Sequence, residues 1–305
     1  MRRSPAVSAT PRIVAVPRES AGERLDRFLA RALALSPGRA RNLAAAGRAR
    51  IRGRVCSPLR RLSGGEEIEV RLPPPRSAPR AAGEPTLSVL YDDRDVLVVD
   101  KPAGLAVEPG AAGAPSAVGA ASHLGRFDVE GRTLPGLPHR LDRDTTGCLL
   151  LARTDEALRA VKRAFEEGRV EKEYLAVVAG APPATGALDT PYGRAPWDAR
   201  RYSSRVESPR RARLSFRLER LLAGAALLRV RLETGRTHQI RVQLADAGFP
   251  VLGDRVYGVP SPLVSRQALH ASRLSFPRPA DGALVSVEAP LPPDLEGLLR
   301  ALARG

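Results

Sequence analysis

Residues 138–152 read Pro138-His139-Arg140-Leu141-Asp142-Arg143-Asp144-Thr145-Thr146-Gly147-Cys148-Leu149-Leu150-Leu151-Ala152. Three cationic or imidazole side chains and two carboxylates crowd a loop, and a short apolar run follows at once. That run predicts a short buried strand over Leu149 to Ala152. A polar loop carried on a rigid strand is where reactive side chains usually sit. Local sequence leaves the carboxylates open: a loop Asp is commonly a turn residue accepting from backbone amides, and nothing local separates Asp142 from Asp144.

Working outward, Leu87 to Leu90 and Val96 to Val99 predict strands flanking a turn at Asp92 to Asp95, and Lys101-Pro102 stops the second strand. A helix is expected over Glu156 to Glu167, ended by Gly168, and strands over Tyr174 to Val178 and Leu227 to Leu232. Arg236 to Ala247 can form a helix with Ile240 and Leu244 on one face. Many strands and few helices, without βαβ alternation, predict a mixed, largely antiparallel α+β sheet.

The chain of 305 residues suggests two domains. Apolar residues make up 43%, which excludes a disordered chain, and with aromatics at 4% the core rests on Leu, Val and Ala. Two cysteines, Cys56 and Cys148, exclude a disulfide scaffold and a Cys-based zinc site. His123, His139, His238 and His270 are scattered, so no metal site is expected. No apolar run is long enough to span a membrane, and Met1 to Pro5 is not followed by the apolar stretch of a signal peptide. These features imply a cytoplasmic protein with reduced thiols. Neither Gly-x-Gly-x-x-Gly nor Gly-x-x-x-x-Gly-Lys is present, which counts against nucleotide-cofactor folds.

The net charge is +16, and residues 1–80 hold 18 Arg against six acids. That is +12 in about a quarter of the chain, so a polyanion contacted through the N-terminal part is the direct inference. Residues 73–86 are rich in Pro, Ala and Gly and predict a semi-rigid linker between a domain at 19–72 and a larger one at 87–305, with residues 1–18 as a basic tail. In the small domain, Ser20-Ala21-Gly22-Glu23 has the capping-box pattern ahead of Leu25, Phe28, Leu29 and Leu33. Ser36-Pro37 opens a second helix that Gly47 ends, and Ala49 to Val55 and Glu67 to Leu72 read as strands. Arg39, Arg41 and Arg48 lie on or beside the second helix, where they would contact phosphate.

Two helices, a small sheet and this Arg placement resemble the S-four-like RNA-binding domain, on Arg24-Leu25-Asp26, Gly47-Arg48 and Gly65-Glu66-Glu67-Ile68-Glu69-Val70. The large domain resembles the RluA-type family of pseudouridine synthases. The matching segments are Val98 to Leu105, the His139-to-Gly147 loop, Lys172-x-Tyr174, Gly235 to Arg241, Pro250 to Asp254 with Tyr257-Gly258, and Leu269-His270-Ala271 to Phe276-Pro277. Three places depart from the pattern. Thr146 stands where Ser is usual, Glu108-Pro109-Gly110 where His-Pro-Gly is frequent, and Gly193 to Arg213, with seven Arg, matches poorly. That last stretch reads either as a solvated loop or as a target-specific RNA contact.

The resemblance implies isomerisation of uridine to pseudouridine within RNA, with no cofactor, because the reaction involves neither redox change nor group transfer. It implies Asp142 as the essential carboxylate, Arg241 as its partner, and Tyr174 stacked on the uracil. Ile240 would touch the base, Arg140 would fill the gap left by the flipped nucleotide, and Arg236 and His238 would complete substrate binding. A large structured RNA, large-subunit ribosomal RNA above transfer RNA, is the expected partner of a monomer. A non-catalytic RNA-binding or ribosome-assembly factor is the competing reading, which the joint presence of Asp142, Tyr174 and Arg241 disfavours. A glycosidase for free sugars is disfavoured by the lack of a second paired carboxylate.

Overall fold

The computed structural model describes residues 11–33, 35, 37–72, 83–110 and 114–304. The expected Ser36 cap, residues 1–10 of the tail and residues 73–82 of the linker lie outside them.

The small domain contains β1 (Arg12–Ala15), α1 (Leu25–Ala32), α2 (Pro37–Ala45), β2 (Ala49–Ile51), β3 (Arg54–Val55) and β4 (Glu67–Val70). Its sheet is antiparallel, in the order β1-β4-β2-β3. Leu25, Phe28 and Leu29 of α1 and Leu43 of α2 pack onto Ile68 and Val70 of β4. Three expectations change here. The basic tail contributes β1, whose mostly exposed residues carry no alternating pattern to betray it. The capping box does not form: Gly22 turns the chain at φ +84°, α1 starts only at Leu25, and Ser20 Oγ instead accepts from Arg31 Nη2 at 2.9 Å. Ala49 to Val55 is a hairpin rather than one strand, because Arg52 and Gly53 both take positive φ, as a two-residue turn of this kind requires.

The large domain runs β5 (Ser88–Asp92), β6 (Val96–Lys101), α3 (Ala117–Ala121), β7 (Thr146–Ala152), α4 (Asp155–Glu166), β8 (Glu171–Ala179), β9 (Thr185–Pro191), β10 (Gly193–Ala195), β11 (Asp198–Ser203), β12 (Arg211–Leu222), β13 (Ala225–Leu232), α5 (Gln239–Asp246), β14 (Leu269–Pro277), β15 (Leu284–Glu288) and α6 (Pro293–Leu302). The main sheet has the order β5-β6-β7-β14-β8-β13-β12-β9, with β15 beside β14. Only the β7–β14 pairing is parallel, so the fold is α+β with a mixed, mostly antiparallel sheet. The Arg-rich stretch expected as a loop contributes the β10–β11 hairpin and the start of β12.

Every residue of β7 is buried. Leu149 and Leu151 join Leu97 and Val99 on one face, while Cys148 and Leu150 join Val96, Val98 and the α4 residues Val161 and Ala164 on the other. Burial on both faces explains why the run is continuous rather than alternating. At its start, Gly147 has φ +108°, and a Cβ there would lie 2.2 Å from the Ala271 carbonyl oxygen. Glycine therefore lets β14 lie alongside and fixes where the preceding loop leaves the sheet.

Arg39 joins the two domains. Its guanidinium sits 2.9 Å from Asp128 and 3.1 Å from Asp155, at the first turn of α4, with the side chain only 8% exposed. The expectation of a phosphate contact at Arg39 is thus corrected: the face of α2 that carries it meets the large domain, and its charge is committed there. Arg41, held loosely to Asp26 at 3.3 Å, and Arg48 remain exposed. Among the described residues no helix is long and apolar enough to cross a membrane.

Candidate active site

The loop before β7 is held from below. Lys101, wholly buried at the end of β6, donates to the carbonyls of Pro102, Leu105 and Arg143 at 2.8–2.9 Å. Burial pushes its ammonium down to about 8, against the pull of Asp144 and Asp142. Arg143 Nε returns a bond to Gly104 O at 2.9 Å. Behind the loop, His139 Nε2 accepts from the Leu150 amide at 2.9 Å. Desolvation, then the Lys172 charge, pushes this imidazole down to about 3, so it stays a neutral acceptor. Thr146 keeps a hydroxyl that bonds His270 Nδ1 at 2.8 Å. Leu141, Thr145 and Thr146 of the loop are buried, whereas Arg140 and Arg143 are exposed and Asp142 and Asp144 half-buried.

The segment 234–246 supplies the partner. The expected helix start at Arg236 moves to Gln239, because His238 takes φ +59°, a conformation a helix interior does not accept. Gln239 Oε1 accepts from the Arg236 amide and from Thr234 Oγ1, closing the turn ahead of α5. Gln243, buried one turn on, donates to Thr190 Oγ1 and Ala212 O, which seats α5 on β9 and β12. Arg241 is thereby aimed inward.

Its guanidinium joins two carboxylates. Nε and Nη2 form a bidentate pair with Asp254 at 2.6 and 2.8 Å, and Nη1 reaches Asp142 Oδ2 at 2.9 Å. Asp254 is fully buried, Arg241 nearly so, and the Asp142 side chain is 21% exposed. Burial opposes the Arg241 charge, yet Asp254 and Asp142 hold it above its usual value. Asp254 is pressed upward by burial and drawn net downward by Arg241 and the amides of Val256 and Tyr257. Asp142 thus has one oxygen pinned; the other lies 3.9 Å from the half-buried His238 Nε2. Such a charge-assisted pair fixes a carboxylate in direction as well as position.

His238 Nδ1 lies 3.0 Å from the Tyr257 hydroxyl, which also accepts from the Tyr202 amide at 3.0 Å. Desolvation, helped by Arg241 and opposed by Asp142, lowers the His238 pKa. Tyr174, on β8, is 7% exposed, and both burial and the nearby Asp142 charge push its phenol upward. Ile240 lies in the same buried cluster as Tyr174 and Leu141. Arg140 is exposed on the rim and pairs with Glu108 at 3.3 Å, so the residue that departs from the family pattern meets an expected substrate contact. Arg236 is also on the rim, with Nε on Arg211 O at 3.2 Å.

The geometry brings together Asp142, Arg241, His238 and Tyr174, whereas the exposed Arg140 and Arg236 engage Glu108 and the Arg211 carbonyl. Sequence reasoning assigned no role to Asp254, Tyr257 or Lys101, although each lies in a quoted motif. The Asp254-x-x-Tyr257 spacing was the available signal. Chemically, the site offers a positioned carboxylate beside a buried phenol and a half-buried imidazole, and among the described residues no cluster could hold a metal ion.

A family model described as RNA pseudouridylate synthase matches residues 95–246, the segment that carries Asp142, Tyr174 and Arg241. The chain is 40% identical over 302 residues to an RNA pseudouridine synthase of Chloroflexus aurantiacus, covering 97% of this chain and 95% of that one. It is 38% identical over 304 residues to the ribosomal large subunit pseudouridine synthase D of Xanthomonas campestris, covering 94% and 91%. The structure resembles human RNA pseudouridylate synthase domain containing 1, with a TM-score of 0.57 at 26% identity, over 71% of this chain and 94% of that one. On this fold and these relatives, the chain belongs to the RluA-type RNA pseudouridine synthases.

Proposed function

We propose that the protein isomerises one or a few uridines of large-subunit ribosomal RNA, with Asp142 as the essential carboxylate, working as a cytoplasmic monomer. The target uridine is flipped from its stack and seated between Tyr174 and the Asp142 carboxylate, while Arg140 stacks in the vacated place. The N1–C1′ bond breaks with Asp142 acting on sugar or base, the uracil turns, C5 bonds to C1′, and the C5 proton is lost as N1 gains one. Atoms and electrons balance without an outside reagent. Tyr174 supports the base and assists the late proton transfer. Ile240, Arg236 and His238 complete the subsite. The observation that carries this reading is the 2.9 Å contact by which the buried Arg241 guanidinium holds the partly exposed Asp142 carboxylate. Large-subunit ribosomal RNA is preferred over transfer RNA because the +12 N-terminal segment suits an extended polyanion and a full-length relative bears that substrate in its name.

Pseudouridine mapping in total RNA from cells with and without the protein tests it. The expected result is loss of modification at one or a few large-subunit positions. Loss confined to transfer RNA would reassign the substrate, and no loss would overturn the proposal.

The small domain acts as an S-four-like RNA-binding module through exposed arginines. With Arg39 committed to the large domain, Arg41 and Arg48 are the two that remain on α2 and beside it. The Arg41→Ala, Arg48→Ala double variant should therefore lower the slope of log affinity against log salt by about 2, one for each phosphate given up. Filter binding to ribosomal RNA across a salt series measures it, and an unchanged slope removes both residues from the interface.

A further inference from the structure

A cleft of about 360 Å³ lies beside the reaction centre, and the proposed isomerisation makes no use of it. Trp197, Arg201, Tyr202, Arg205, Asp246 and Tyr257 contribute to its lining. The two sites share a wall. The Tyr257 ring lies 5.2 Å from the Arg241 guanidinium, and its hydroxyl meets His238, which faces Asp142. One aromatic layer therefore separates the cleft from the catalytic carboxylate.

The opposite lip is the β10–β11 hairpin, whose turn is Pro196-Trp197. Trp197 is the only tryptophan in the chain and is 67% exposed, an uncommon fate for the side chain with the largest apolar surface. Arginines interleave with rings on both sides of it: Arg201 lies 5.5 Å over Tyr257 and Arg194 lies 5.1 Å over Tyr202. Tyr202 in turn stacks on Tyr192 at 5.8 Å, so the hairpin is stiffened by rings instead of hanging free. The one lining carboxylate, Asp246, is engaged by Ser204 through its amide and hydroxyl and by Arg205 at 3.7 Å, which leaves the cleft net cationic. Flat apolar faces alternating with guanidinium groups match an unpaired base on a phosphate backbone.

We propose that this cleft binds an unpaired nucleobase flanking the target uridine, stacked on Trp197, with Arg201 and Arg205 on its phosphate. The assignment rests on the pseudouridine synthase reading and adds a specificity subsite to it. On this assignment the poorly matching Arg-rich stretch selects the sequence next to the modified position.

A single tryptophan makes the test local. Titration of the full-length protein with a single-stranded hexa-adenylate, which contains no uridine to isomerise, should quench Trp197 emission saturably, and adenosine monophosphate at the same base concentration should do so much less. On large-subunit ribosomal RNA, Trp197→Ala should raise KM about tenfold with kcat nearly unchanged, because stacking removed equally from ground and transition states moves only KM. Trp197→Phe, which keeps a flat ring, should recover most of the loss. Emission unaffected by saturating hexamer, or an unchanged KM for Trp197→Ala, would overturn the subsite. If the hexamer quenches but the wild-type protein forms no pseudouridine, the functional reading fails while the base-binding cleft stands.

Discussion

Asp142→Asn should abolish pseudouridine formation, by at least about 10³-fold in kcat, while the protein stays folded and keeps its RNA affinity. Asparagine retains the shape and an oxygen for Arg241 Nη1, so the 2.9 Å contact survives as an ordinary hydrogen bond. Arg241 remains neutralised by Asp254 through two other bonds, so no buried cation is orphaned. What disappears is the negative charge on the oxygen facing His238. Single-turnover assays on ribosomal RNA, with thermal melting and filter binding as controls, separate these effects. Activity above about one hundredth of wild type would remove Asp142 from its role and direct attention to Asp144, whose backbone carbonyl is held by Arg266 Nη1 at 3.0 Å.

Asp254→Ala should fail differently, through the fold. Arg241 would keep a buried charge with only the partly exposed Asp142 as partner, and breaking a buried pair from one side costs about 3–5 kcal/mol. For a domain of this size that is a fall in melting temperature of roughly 10 °C or more. Activity should fall too, because the guanidinium is free to turn and Asp142 loses its direction. The pH dependence carries a sign. In the folded protein Asp254 titrates below the ordinary carboxyl value, so its contribution is complete above the unfolded value of about 4 and is lost as pH falls through the depressed one. The stability gap between variant and wild type should therefore be widest near neutral pH and narrow in acid. Denaturant melts at several pH values measure this, and a gap that widens in acid would show that the pair does not act as described.

The strands around the loop were legible because their apolar runs are continuous and the stop at Lys101-Pro102 is strong, and the helix α4 because Gly168 ends it. Ends were less legible. The helix expected from Arg236 begins at Gln239 because a tertiary contact, the His238 ring against Tyr257, decides the backbone there. β1 was missed because an edge strand exposed on both faces has no period to read. Arg39 was misread for a related reason: composition shows how much charge a helix carries, and only packing shows which charge faces the neighbouring domain. At the site, Asp142 and Arg241 were identified through a resemblance spread over several segments. Asp254 has its effect through a partner 13 residues away, so the Asp254-x-x-Tyr257 spacing marks a turn without showing which side chain the carboxylate holds.

One guanidinium serving two carboxylates leaves a surplus negative charge at the centre of a strongly cationic protein. With His238 biased toward its uncharged form, nothing on that ring offsets the surplus. A phosphodiester drawn in by the surrounding arginines is turned away at this one spot, whereas an uncharged pyrimidine ring is not. Under the proposed reaction, the site would thus admit the uncharged base of a nucleotide swung out of line while repelling the backbone that brings it there.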